Sequence, residues 1–171
     1  MKTLFITICA FLLLNSGFAQ PAINTHSYTN AIGLRAGGTS GLTFKHHYGG
    51  GTSAEFILGI WNNGIGLTGL YEKNASAGIS GLNWYYGFGG HVAASNDRSY
   101  YYVRGERGYF WYRQMHEDRF GIGVDGIVGI EYKIRPIPFA ISFDLKPFIE
   151  VTNSGFMWAS IDPGLGIKFT F

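Results

Sequence analysis

Strict apolar alternation, abundant glycine and closely spaced turn signals predict an all-β fold: an eight-stranded antiparallel up-and-down β-barrel. The chain of 171 residues contains 26 glycines and is 17% aromatic, far from an ordinary globular mix, and its glycines follow no collagen-like period. The clusters GGTSG (37–41), GGGTS (49–53), NNG (62–64), KNASAGIS (73–80), RPIP (135–138) and TNSG (152–155) each separate two alternating runs. The runs cover roughly 30–37, 42–48, 53–61, 64–72, 82–95, 120–134, 139–151 and 156–171. Many are close to the 9–11 residues that a tilted membrane strand needs. No helix-period stretch longer than one turn interrupts them.

The first segment lies outside this pattern. MKTLFITICAFLLLNSGFAQ has Lys2, an apolar run from Leu4 to Leu14, and small residues before Gln20. The run is too short to cross a bilayer and has the layout of a secretory signal peptide over residues 1–19, leaving a barrel domain over 20–171. Cys9, the single cysteine, falls inside the signal, so the exported domain is expected to be held by its packing or by a membrane instead of by disulfides. A formal charge of +2 provides no basic footprint for nucleic acid.

Taking the strands in order, one parity is apolar throughout. It reads Ile32, Leu34, Ala36; Leu42, Phe44, Tyr48; Ala54, Phe56, Leu58, Ile60; Ile65, Leu67, Tyr71; and Leu82, Trp84, Tyr86, Phe88, Val92. It continues with Ile122, Val124, Val128, Ile130, Tyr132; Phe139, Ile141, Phe143, Leu145, Ile149; and Ile161, Leu165, Ile167, Phe169, Phe171, with His46 as the exception. The other parity carries Arg35, Lys45, Glu55, His91, Asp125, Glu131, Lys133, Asp144, Lys146, Glu150, Asp162 and Lys168, interspersed with glycine. A soluble barrel places its apolar parity inside, whereas a transmembrane barrel places it outside. The aromatics favour the second arrangement: Tyr48, Tyr71, Trp84, Tyr86, Tyr132, Phe139, Phe169 and Phe171 gather on the apolar parity toward one end of their strands, as an interfacial girdle does.

The chain closes on GLGIKFTF, with Leu165, Ile167, Phe169 and Phe171 on one face. Together with the leader and the eight runs, this ending resembles the small outer-membrane β-barrels of the OmpA/OmpX type, over essentially the whole exported domain. Gln20 directly after the cut is similar to exported proteins of the Bacteroidota. The resemblance implies a Gram-negative outer-membrane location, contact with outer-membrane lipid and lipopolysaccharide, and a carboxy-terminal assembly signal formed by Leu165, Ile167, Phe169 and Phe171 that the barrel-assembly machinery reads. The resemblance extends over the barrel only, with no peptidoglycan-binding domain expected after Phe171, so the anchoring role of longer relatives is not implied.

An eight-stranded barrel has room inside only for side chains. The expected lumen is therefore an ion network of Arg35, Lys45, Glu55, Asp125, Glu131, Asp144, Lys146, Glu150, Asp162 and Lys168, and not a general porin channel. GIGVDG at 121–126 matches a dinucleotide fingerprint, but no helix opens after it, so no nucleotide cofactor is expected. His46 and His47 are adjacent on a strand and point to opposite faces, so they form no chelating pair and no metal is expected. His91 and Ser95, with His116 or Asp118, are the candidates for a lipid A-modifying chemistry, and nothing else marks them.

The longest connection, NDRSYYYVRGERGYFWYRQMHEDR at 96–119, mixes arginines with aromatic rings. Long loops in compact folds are usually functional or disordered. Planar guanidinium donors beside stacking rings suit phosphate, carboxylate or protein contact, which makes Arg98, Tyr101, Arg104, Arg107, Tyr109, Trp111 and Arg113 the candidate binding residues. The flanking aromatic runs are expected to pair as a hairpin tipped by RGERG. The function expected is non-enzymatic: a scaffold presenting this hairpin to an external ligand, a protein partner or lipopolysaccharide. The alternatives are a lipid A acylase or deacylase and an accessory subunit of an envelope secretion or assembly complex.

Overall fold

The computed structural model describes residues 27–61, 64–95, 99–103, 110–114, 119–153, 155 and 157–171. The signal peptide expected over 1–19 and the RGERG segment expected at the hairpin tip lie outside the described residues. Ten strands follow in chain order: β1 (Asn30–Gly37), β2 (Gly41–Gly49), β3 (Thr52–Trp61), β4 (Gly64–Ser76), β5 (Leu82–Ser95), β6 (Ser99–Val103), β7 (Phe110–Gln114), β8 (Arg119–Ile134), β9 (Phe139–Thr152) and β10 (Met157–Thr170). Eight form one closed antiparallel barrel in the order β1-β10-β9-β8-β5-β4-β3-β2, and β6 and β7 pair as a separate two-stranded sheet. No helix long and apolar enough to cross a membrane occurs among the described residues.

The barrel closes where β1 meets β10, with Ala31 opposite Thr170 and Gly37 opposite Gly164. Neighbouring strands are otherwise joined in sequence by short turns, with the 96–118 connection between β5 and β8 as the exception. The end of the barrel carrying Asn30 and Thr170 is called the base here, and the end from which the long connection leaves is called the rim. At the base, Gly49, Gly50 and Gly51 all take positive φ, which residues with a Cβ resist and which turns the chain from β2 into β3.

The strand bounds agree closely with the alternating runs, with one correction. β4 continues to Ser76, so the turn expected over 73–80 shrinks to 77–81. Lys73, Asn74, Ala75 and Ser76 pair with Tyr86, Tyr85, Trp84 and Asn83. Strand pairing overrides the turn preference of Asn and Ser when a long partner strand is available. The β8–β9 ladder also skips from the pair Asp125/Phe148 to the pair Val128/Leu145. Pro147 lies in the gap, and proline has no N–H to donate.

Parity sorts the side chains by environment. The apolar set faces outward: Leu34 is 59% exposed, Phe88 70%, Val124 63% and Leu165 59%. The aromatic set toward the base is also outward, with Trp84 stacked on Tyr86 at 5.4 Å and Phe139 edge-on to Phe169 at 5.6 Å. Most charged residues among those described are buried inside, while Lys73 and Arg135 near the base are exposed and Lys133 is half-buried. This is the reverse of a soluble barrel, whose apolar side chains leave water by turning inward.

Candidate functional site

Every residue expected in the interior network, Arg35, Lys45, Glu55, Asp125, Glu131, Asp144, Lys146, Glu150, Asp162 and Lys168, is buried inside the barrel. Their contacts form two groups. Toward the rim, Arg35 donates to Asp144 at 2.6 Å and to Asp162 at 3.0 Å. Lys146 contacts Asp125 at 3.1 Å and Asp162 at 3.7 Å. His91 continues the chain, with Nδ1 2.8 Å from Asp125 and Nε2 3.0 Å from Glu150. Both ring nitrogens thus face carboxylates, which leaves neither aimed at a serine nucleophile. Ser95 belongs to β5, and His116 and Asp118 lie outside the described residues.

Toward the base, Lys168 contacts Glu55 at 2.9 Å and Glu131 at 3.4 Å. Lys45 contacts Glu72 at 2.7 Å, Glu55 at 3.6 Å and Glu131 at 3.9 Å. Thr43 donates to Glu55, and Tyr28, just ahead of β1, donates to Glu131. Burial and the neighbouring Glu131 carboxylate raise the Tyr28 phenol above its ordinary pKa, so it keeps its proton. The Tyr28 ring also stands edge-on to His47 at 4.9 Å.

Between the two groups lies an apolar cluster of Ile57, Leu70, Tyr85 and Ile127. Tyr85 touches both: Lys45 Nζ sits 4.0 Å from its ring centroid and Asp144 Oδ2 is 3.5 Å from its hydroxyl. Gly129 makes room for this ring, because a Cβ there would lie 2.6 Å from the Tyr85 hydroxyl. Gly123 does the same for the His91 ring and Gly164 for the Arg35 guanidinium. Inner-face glycines thus create the volume that long charged side chains fill.

Tyr28, Thr43, Glu72 and Tyr85 are among the interior members that sequence reasoning missed. Glu72 sat at the edge of an expected turn, although its parity already pointed inward. Tyr85 is one aromatic in the run WYYGF, and only its parity separates it from the outward Trp84 and Tyr86. Tyr28 precedes the first alternating run, so no periodicity applied to it.

Of the candidate binding residues, Tyr101 belongs to β6, and Trp111 and Arg113 to β7. Their backbones pair Tyr101 with Tyr112, Tyr102 with Trp111 and Tyr100 with Arg113, so the expected hairpin pairing is present. Arg98, Arg104, Arg107 and Tyr109 lie outside the described residues. Leu165, Ile167, Phe169 and Phe171 all face outward from the last strand or its end, between 43% and 59% exposed. Among the described residues no set of three or more His, Cys, Asp or Glu side chains is placed to hold a metal ion. GIGVDG runs straight through β8. No family model matches the chain, and neither the curated proteins nor the solved structures compared with it include a match.

Proposed function

We propose that this chain is a non-enzymatic outer-membrane β-barrel, a scaffold that holds the 96–119 segment at the cell surface to contact a ligand, a partner protein or lipopolysaccharide. One observation carries the reading: among the described residues the closed barrel exposes its large apolar side chains around the whole outside and buries most of its charges within. In water, so much exposed apolar area is an aggregation hazard. In a bilayer the same surface is matched to hydrocarbon, and closure leaves no unpaired strand edge.

The place of the long connection supports the second half of the proposal. Strands joined by short turns are a rigid platform, and binding residues concentrate on the loops such platforms carry. The base holds the aromatic girdle and the final strand with its alternating apolar ending, which suits the periplasmic side and the assembly machinery. The opposite rim then faces outward with the Arg- and Tyr-rich hairpin.

Heat-dependent migration in detergent gels, combined with membrane fractionation, tests the reading. A closed membrane barrel runs anomalously until boiled and sediments with the outer membrane. A protein that migrates identically before and after boiling and stays in the soluble fraction refutes it.

A further inference from the structure

The base group holds three carboxylates, Glu55, Glu72 and Glu131, against two ammonium groups, Lys45 and Lys168. Lys168 is shared between Glu55 and Glu131. Lys45 sits closest to Glu72. Glu72 Oε2 also accepts the Ser53 hydroxyl at 3.1 Å, while Glu72 Oε1 has no hydrogen-bond partner among the described residues although the residue is 0% exposed. Two residues further along the same face of β4, Asn74 is 4% exposed. Its Nδ2 donates to the same Ser53 hydroxyl at 2.8 Å, and its Oδ1 likewise has no partner among the described residues. One hydroxyl therefore gathers two side chains whose remaining atoms are both bare oxygen acceptors, in a cluster where three carboxylates meet two ammonium groups and the His47 ring.

Each buried acceptor left unmade costs its full desolvation penalty, and an uncompensated buried charge costs more. The geometry points to a cation site in the barrel base, in which Glu72 Oε1 and Asn74 Oδ1 bind an alkali-metal ion of the Na⁺ or K⁺ class. A carboxylate and an amide carbonyl are hard oxygen donors, which select hard cations over the soft metals that thiolate and imidazole ligands hold. The single charge follows from Lys45, whose ammonium, 2.7 Å from the same carboxylate, repels a dication more strongly than a monocation. The site lies inside the barrel and does not depend on what surrounds the outside. The other ionisable groups facing it are Glu55, Glu131, Lys45, Lys168, Tyr28 and His47, the last of which lies opposite Ser53 across the β2–β3 ladder.

The test uses the folded protein in detergent at constant pH and ionic strength, in NaCl, KCl or choline chloride. The unfolding temperature followed by tryptophan fluorescence, a readout independent of gel behaviour, should rise by about 5–10 °C in the preferred alkali chloride, at a hundred times its dissociation constant, relative to choline. Glu72→Gln should abolish that difference, and Glu150→Gln, in the rim group, should keep it. The ²³Na resonance should broaden with the wild-type protein and sharpen on adding KCl if both ions share the site. Should Glu72→Gln fail to fold, Asn74→Ala serves instead and should weaken the ion dependence. Equal transition temperatures in all three salts with an unbroadened ²³Na line would mean that only water or a proton satisfies these oxygens. Either that result or an ion dependence surviving in Glu72→Gln overturns the proposal.

Discussion

Phe143→Arg separates a lipid-facing barrel from a water-facing one. Phe143 lies on β9, 46% exposed, opposite Ile130 on one side and Leu165 on the other, both outward and apolar. It is four residues into the strand from Phe139 in the base girdle. At a rise of ~3.3 Å per residue and a tilt of ~40°, that places it about 10 Å from the girdle, close to the middle of an apolar band ~25 Å tall. An arginine there must sit in hydrocarbon or bend toward an interface, at a cost of about 2–4 kcal/mol. On a water-facing surface the same change stays within about 0.5 kcal/mol. Ser142→Arg is the control. Ser142 is buried opposite Glu131 and Gly166, so its larger replacement is penalised by crowding, at about 1–3 kcal/mol. Urea titration of folding into phospholipid vesicles, followed by tryptophan fluorescence and gel migration, measures both. A neutral Phe143→Arg, together with a Ser142→Arg variant whose new guanidinium reacts with lipid-phase probes, would invert the assignment of faces and refute the reasoning.

Two further outcomes follow from the interior and the surface. Lys45→Ala leaves Glu72 without its ammonium partner and removes the cation from the Tyr85 ring; breaking a buried pair on one side should destabilise the barrel by about 3–5 kcal/mol, measured as a lower urea midpoint. Trypsin added to intact cells should cut near Arg104 or Arg107 and leave two fragments that remain together in the membrane, because the barrel ladders survive a nicked loop. Cleavage at Arg135 instead, in the base turn between β8 and β9, would turn the barrel upside down.

How far the sequence reached depended on the range of each signal. Alternation is a local property: Leu165, Ile167 and Phe169 share a face in any extended chain, whatever lies beside them. The glycine-rich turns are equally local, so the strand number and the two faces were legible without coordinates. The end of β4 was not, because Asn74 and Ser76 favour turns alone and become strand only when Tyr85 and Asn83 pair with them. Partnership inside the barrel needed register as well. Arg35 meets Asp144 across 109 residues of sequence, and only the closing of β1 on β10 and the stagger of the intervening strands bring them together. The same closure places Tyr28 against Glu131 and sets Tyr85 between the two ion-paired groups, whereas the β3–β4 ladder, with Ser53 opposite Glu72, gathers Glu72 and Asn74 on one Ser53 hydroxyl. Parity is set by the geometry of a single strand, whereas the pairing of buried charges is set by the packing of all eight.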